Sequence, residues 1–137
     1  MIRAVIDTNV LVSAMISPSG NEALRFLAVS HGLVTPCFSR EILEEYTGVL
    51  SRPKFGFPAH EIRALLGLLL DRGELQDAAS MRRVSPDPGD DKFVACALTA
   101  KADFVVTGNR RHFPPNALRP AKVVSAGELL DLITRGL

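Results

Sequence analysis

Short apolar runs alternate along the chain with amphipathic segments of helical spacing. The runs at residues 4–6, 33–36, 103–107 and 122–124 predict buried strands, and they lack the polar alternation of a half-exposed sheet. Residues 74–84 predict a further short edge strand less clearly. Strands that alternate with helices through right-handed crossovers build parallel sheets. We therefore predict an α/β fold, a three-layer α/β/α sandwich around a central parallel sheet of about four to five strands.

Apolar residues at helical spacing predict the intervening helices. The predicted segments are residues 10–16, residue 22 to Gly32, residues 39–52, residues 59–71, a helix that starts near residue 91, and residues 126–134. Ser39 and Ser125 precede two of these segments and are suitable N-caps. The whole chain, residues 1–137, is predicted to form one domain.

Polar side chains stand where two predicted strands end. Asp7 follows the first strand and precedes Thr8 and Asn9, whereas Thr107 and Asn109 follow a later strand. The carboxyl edge of a parallel sheet is where ligands bind in open α/β folds, so these residues are candidates for a site. Asp, Thr and Asn also suit an ordinary strand–helix corner, and that alternative stays open.

Three further carboxylates lie near the predicted buried faces of helices. Glu45 borders the apolar stripe of its helix, where burial is costly unless a cation meets it. The alternative for Glu45 is a rim position paired with Arg52 or Lys54. Asp90 and Asp91 precede, by one turn, the buried face of the helix that starts near residue 91. Crowded acids repel one another unless they share a proton or a divalent ion.

These acids, together with hydroxyl and amide oxygens and without histidine or cysteine, suit a hard divalent ion. We expect Mg²⁺ or Mn²⁺ rather than zinc. The predicted fold would bring Asp7, Glu45 and Asp91 towards one cleft. Thr8, Asn9, Asp90, Thr107 and Asn109 are the expected supporting residues.

The chain has sixteen basic and fifteen acidic residues, so its net charge is close to zero. Such a charge creates no overall field that would attract a polyanion. Nucleic-acid binding would need a local basic patch, for which Arg110 and Arg111 are the candidates, although a solvated loop explains them equally well. The sequence shows neither a signal peptide nor a membrane span, and both cysteines lie in apolar contexts. We expect a cytoplasmic protein with reduced thiols.

Four short signatures in order resemble the PIN-domain family, and among its members the VapC-like toxins of bacterial toxin–antitoxin pairs. The first two lie in VIDTNVLVSA and SREILEEYTGVL. The last two lie in DPGDDKFVACALTAKADFVVTGN. The resemblance implies a PIN-like fold and a metal-dependent endoribonuclease whose acids are Asp7, Glu45 and Asp91. It implies that Asp7 and Asp91 bind the metal directly and that Glu45 is a further ligand or orients the attacking water. It also implies an antitoxin partner and a homodimer, which the leucine-rich helix of residues 59–71 makes plausible. Asn109 departs from the family pattern, which has a fourth acid at that position.

Two alternatives compete with the nuclease hypothesis. A phosphotransfer domain also places aspartate after its first strand, but position 9 is Asn where one such class needs a second Asp, and no lysine ends a late strand as the other class requires. A catalytically weakened PIN-fold module that binds RNA or protein is the other alternative. It is motivated by Asn109, which supplies a neutral oxygen instead of a charge.

Overall fold

The computed structural model describes residues 2–16, 31–77 and 88–136. Within them a parallel sheet of five strands runs through the middle of the structure, in the order β3-β2-β1-β4-β5. The strands are β1 (Ile2–Ile6), β2 (Val34–Ser39), β3 (Glu74–Gln76), β4 (Phe104–Val106) and β5 (Lys122–Val124). The predicted α/β class and parallel sheet are confirmed, and β1 is the middle strand.

Helices connect the strands. They are α1 (Thr8–Ile16), α2 (Arg40–Leu50), α3 (Ala59–Arg72), α4 (Asp91–Ala100), the short α5 (Pro115–Leu118) and α6 (Ala126–Thr134). Both predicted caps are present, because Ser39 accepts the N–H of Ile42 and Ser125 forms a reciprocal capping box with Glu128. The helix predicted from residue 22 lies outside the described residues.

The core lies on both faces of strand β1. Ala4, Val5 and Ile6 point alternately to opposite faces of the sheet, yet all three are buried. Both faces are therefore covered by helices, which is the layered arrangement that the apolar runs predict. From α2, Ile42 and Tyr46 pack into this core.

Strand β2 is longer than predicted, since it continues through Pro36 to Ser39. Proline lacks the N–H that a central strand normally donates. Pro36 pairs with Ala4 of β1, while β3 begins only opposite Cys37. The missing donor therefore costs no bond to β3.

Two other sequence expectations concern cysteines and membrane helices. Cys37 and Cys96 are both buried and free, as predicted. In the part of the chain that the structure describes, no helix combines the length and the apolar character that a bilayer crossing requires.

Candidate functional site

Two neighbouring strand ends bring Asp7 and Thr107 together. The backbone N–H of Asp7 donates to Val106 at 2.8 Å, so the pairing of β1 with β4 extends one residue beyond β1. The Thr107 hydroxyl then donates to Asp7 Oδ2 at 2.8 Å. Asp7 is only 5% exposed and Thr107 is fully buried. A carboxylate thus lies beneath the carboxyl edge of the sheet, where the sequence predicts it.

Burial dominates the electrostatics of Asp7. Desolvation raises the pKa of this carboxyl, and the nearby charge of Glu45 raises it further. Hydrogen bonds from Thr107 and from the backbone N–H groups of Asn9 and Thr8 oppose that rise. The net pKa lies above its ordinary value, so the charged form of Asp7 would be favoured by an additional cation.

Glu45 is attached to the same corner through Thr8. The Thr8 hydroxyl donates to Glu45 Oε2, and the Lys92 ammonium donates to Glu45 Oε1 at 2.6 Å. The neighbouring Tyr46 hydroxyl donates to the carbonyl of Ile6, which fixes α2 against the end of β1. Glu45 therefore lies beside Asp7 because two adjacent residues of α2 bond to two residues that flank Asp7.

The ion pair of Glu45 corrects one sequence expectation. The sequence leaves open a rim position for Glu45 paired with Arg52 or Lys54, but its partner in the structure is Lys92. Both side chains are largely buried, with 20% of Lys92 and 26% of Glu45 exposed. The Lys92 ammonium also donates to the carbonyl of Gly89 at 2.7 Å. Sequence reasoning missed Lys92, whose one local signal is its position directly after two aspartates.

A chain of hydrogen bonds links Asp7 to Asp90. The backbone N–H of Asn109 donates to the Thr107 hydroxyl at 2.9 Å, and the Asn109 amide lies 3.2 Å from His112 Nε2. His112 Nδ1 is 2.7 Å from Asp90 Oδ2. With the Asn109 amide as donor, Nδ1 carries the imidazole proton and donates to Asp90. This hydrogen-bonded series ends at Asp90, the neighbour of Asp91. Asp91 itself is half-buried at the first position of α4.

Asn9, Arg110 and Arg111 are the remaining candidate site residues. The Asn9 side chain is exposed and lines a small cavity of about 150 Å³ with Ser13 and Gly108. Arg110 forms an ion pair with Glu128, whereas Arg111 is exposed. A phosphate would therefore have to compete with Glu128 for Arg110.

The donor atoms allow a test of whether a divalent ion fits. No three carboxylate, histidine or cysteine side chains among residues 2–16, 31–77 and 88–136 form a ready metal cluster. Mg²⁺ retains several waters and is commonly bound by one or two carboxylates. The buried, desolvated Asp7 fits such an open site. The charge of Glu45 is neutralised by the Lys92 ammonium in the present arrangement, which leaves less of it to attract an ion.

Comparisons with known proteins agree with this architecture. A chain in the crystal structure of VapBC2 from Rickettsia felis, bound to a DNA fragment from their promoter, superposes with a TM-score of 0.60. The two chains are 17% identical over 90% of this chain and 98% of the other, a likeness that concerns the fold. No curated protein sequence gives a significant match. The family model for the PIN domain matches residues 3–111, which contain both strand ends and the candidate acids Asp7, Glu45, Asp90 and Asp91, and the chain therefore belongs to the PIN domain family.

Proposed function

We propose that the protein is a metal-dependent endoribonuclease that hydrolyses phosphodiester bonds in RNA. The observation that carries the proposal is the buried Asp7 carboxylate at the carboxyl edge of the sheet, bonded to Thr107 and close to the charge of Glu45. A buried acid in a cluster of like charge is costly unless it serves a bound cation. Membership of the PIN family supports nuclease activity.

The proposed roles follow from the positions of the side chains. Asp7 and Asp91 would hold Mg²⁺ or Mn²⁺, which would supply an activated water and neutralise charge on the scissile phosphate. Glu45 would orient the attacking water. Water attacks phosphorus, the bond to the 3′ oxygen breaks, and that oxygen leaves with a proton.

Other residues would support this reaction from around the acids. Thr8 and Thr107 hold the carboxylates of Glu45 and Asp7, while Asn109 and His112 connect Thr107 to Asp90. Asn9, at the same corner, would bond to water or substrate. Arg111, and Arg110 once it is released from Glu128, would bind flanking phosphates.

The proposal extends to biological context. The VapBC2 structure supports an antitoxin as partner, so we propose that the nuclease is the toxin of a toxin–antitoxin pair in the cytoplasm. A homodimer is the proposed assembly. Leu70 on α3 is 56% exposed and offers apolar surface for it.

Cleavage of single-stranded RNA by the purified protein tests the nuclease proposal. With Mn²⁺ present, Asp7→Asn and Asp91→Asn should each reduce the cleavage rate by at least about 100-fold, because each removes charge that would hold the ion. Asp71→Asn, at a solvent-exposed position on α3, is the matched control and should leave the rate unchanged. Full cleavage in excess EDTA, or by both variants, would contradict the proposal.

Asn109 favours one alternative, a binding module whose catalytic site is weakened. Its amide bonds to His112 and brings no charge to the position where the resemblance implies an acid. In that case RNA binding, measured by fluorescence anisotropy, would survive Asp7→Asn and Asp91→Asn. The unmodified protein would show no turnover with Mn²⁺.

A further inference from the structure

Lys92 places a positive charge on Glu45, beside the corner that carries Asp7. Its ammonium contacts Glu45 Oε1 at 2.6 Å and the Gly89 carbonyl at 2.7 Å, and it lies 5.8 Å from the centre of the Phe93 ring. These contacts come from α2, from the segment before α4 and from α4 itself. The amine is thus held at a defined place, unlike an exposed lysine whose long side chain moves freely.

This contact changes the charge of the cluster. The candidate acids are Asp7, Glu45, Asp90 and Asp91, and the resemblance to PIN domains implies a further acid where this chain has Asn109. Asn109 contributes no charge, and Lys92 cancels the charge of Glu45. Less negative charge is therefore left to hold divalent ions than the count of acids suggests.

Both oxygens of Glu45 already have a partner. Oε2 accepts the Thr8 hydroxyl and Oε1 accepts the Lys92 ammonium. A divalent ion that approached Glu45 would be repelled at short range by the ammonium on Oε1. Removal of the ammonium charge should open Glu45 to metal.

We propose that Lys92 is the built-in counter-cation of Glu45, which keeps Glu45 out of the metal-ligand set and limits the cluster to one divalent ion. The inference rests on the proposed function in so far as the acids bind metal. It assigns Lys92 as a positioning residue, which acts through Glu45. Metal binding is measurable without RNA, so its test is separate from the test of cleavage.

Calorimetric titration of the whole protein with Mn²⁺ tests the assignment. Lys92→Met should bind Mn²⁺ at least about tenfold more tightly than the unmodified protein, or bind an additional ion, because a nearby positive charge is removed. Lys92→Arg keeps the charge and should behave like the unmodified protein. Lys122→Met, at an exposed position at the start of β5, removes a lysine away from Glu45 and should change neither affinity nor stoichiometry.

A double variant identifies Glu45 as the group that Lys92 blocks. Glu45→Gln combined with Lys92→Met should lose the gain and return to about the affinity of the unmodified protein. An affinity for Lys92→Met within about twofold of the unmodified protein, at equal stoichiometry, would overturn the proposal. A gain that persists in the double variant would overturn the role of Glu45.

Thermal unfolding gives a second readout. In EDTA, Lys92→Met should unfold at a lower temperature than the unmodified protein, because Glu45 loses its partner beside Asp7, and Mn²⁺ should raise its Tm more. Equal Tm values in EDTA and equal shifts with Mn²⁺ would overturn the proposal. Should Lys92→Met fail to fold, Lys92→Gln serves in both measurements. A changed metal affinity without RNA cleavage would support the inference while the nuclease proposal fails.

Discussion

Two opposing effects act on the pKa of the Asp7 carboxyl group. Its burial disfavours the charged form, while the Thr107 hydroxyl and the backbone N–H of Asn9 favour it. Desolvation is the largest of these effects, so the pKa of Asp7 is raised in the folded protein. A carboxyl that binds its proton more tightly when folded makes stability fall as pH rises.

The pH dependence of stability should therefore reveal Asp7. In EDTA, the free energy of unfolding should decline as pH rises from the ordinary carboxyl pKa of 3.8 through the raised pKa of Asp7. Asp7→Asn cannot ionise and should lack this component, so it becomes more stable relative to the unmodified protein as pH increases. Urea titrations between pH 4 and pH 7 measure the difference. Parallel pH profiles would refute it, and Asp71→Asn should follow the unmodified protein.

Individual residues differ in how far the sequence predicts their place. Asp7 and Thr107 end apolar runs, so the position of each at the sheet edge follows from local pattern alone. The pairing of Lys92 with Glu45 spans 47 residues and depends on how α2 and α4 approach each other. The same holds for His112 and Asp90. Spacing along the chain contains no information on such contacts.

At the scale of elements, Gly73 joins α3 to β3 at a point of close approach. A Cβ built there would lie 2.5 Å from the backbone oxygens of Leu69 and Pro36 and from the Phe38 ring. Gly67, in the middle of α3, has open space around the same position. The two glycines of this segment are therefore under opposite constraints.

Alanine substitutions should separate these constraints. Gly73→Ala should lower the free energy of unfolding by about 1–3 kcal/mol, because backbone oxygens must move away from the new methyl group. Gly67→Ala should raise it by roughly 0.5–1 kcal/mol, since alanine favours a helix interior. Urea unfolding measures both. Equal effects of the two substitutions would contradict the close packing at Gly73.

The start of α6 combines a structural and an electrostatic role in Glu128. Its Oε1 accepts the backbone N–H of Ser125 in the capping box and also pairs with Arg110. The Arg110 side chain is 56% exposed and the Glu128 side chain is 50% exposed. Because water screens such an exposed ion pair, it adds little stability. The guanidinium of Arg110 is thereby restrained at the rim of the candidate site.

Glu128→Gln should release Arg110 without loss of the cap. Glutamine still accepts the cap hydrogen bond, so stability should change by less than about 0.5 kcal/mol. Affinity for single-stranded RNA at low salt should rise roughly two- to fivefold, because Arg110 becomes available to phosphate. Fluorescence anisotropy with labelled RNA measures this gain. It should vanish in a Glu128→Gln, Arg110→Met double variant, and a gain that persists would exclude Arg110 as its source.

The whole molecule is organised by its parallel sheet, and this much the sequence predicts well. Apolar runs and helical spacing give the class, and the bounds predicted for residues 122–124 and 126–134 agree with β5 and α6. The strand order does not follow from such patterns. It depends on which strands pair across long connections. The full length of β2 does not follow from the pattern either, because the strand continues past Pro36.

Both thiols report on global unfolding. Burial raises the pKa of Cys37 and raises that of Cys96 to about 12, so neither forms a reactive thiolate in the folded protein near neutral pH. A disulfide reagent such as Ellman's reagent should label neither thiol rapidly at pH 8, and should label two once urea unfolds the protein. Cys37→Ala should reduce the unfolded count to one. Rapid labelling under native conditions would contradict this burial.

The middle position of β1 has a consequence for local stability. Its amide hydrogens lie between two strand partners, so solvent exchange at the backbone beside Asp7 requires opening of the whole sheet. Lys92, by contrast, lies in the first turn of α4, and the ends of helices open locally at a lower free energy than the central strands of a sheet. Fraying at that turn would withdraw the ammonium and leave the carboxylate of Asp7 in place, so the two charges respond to different opening events.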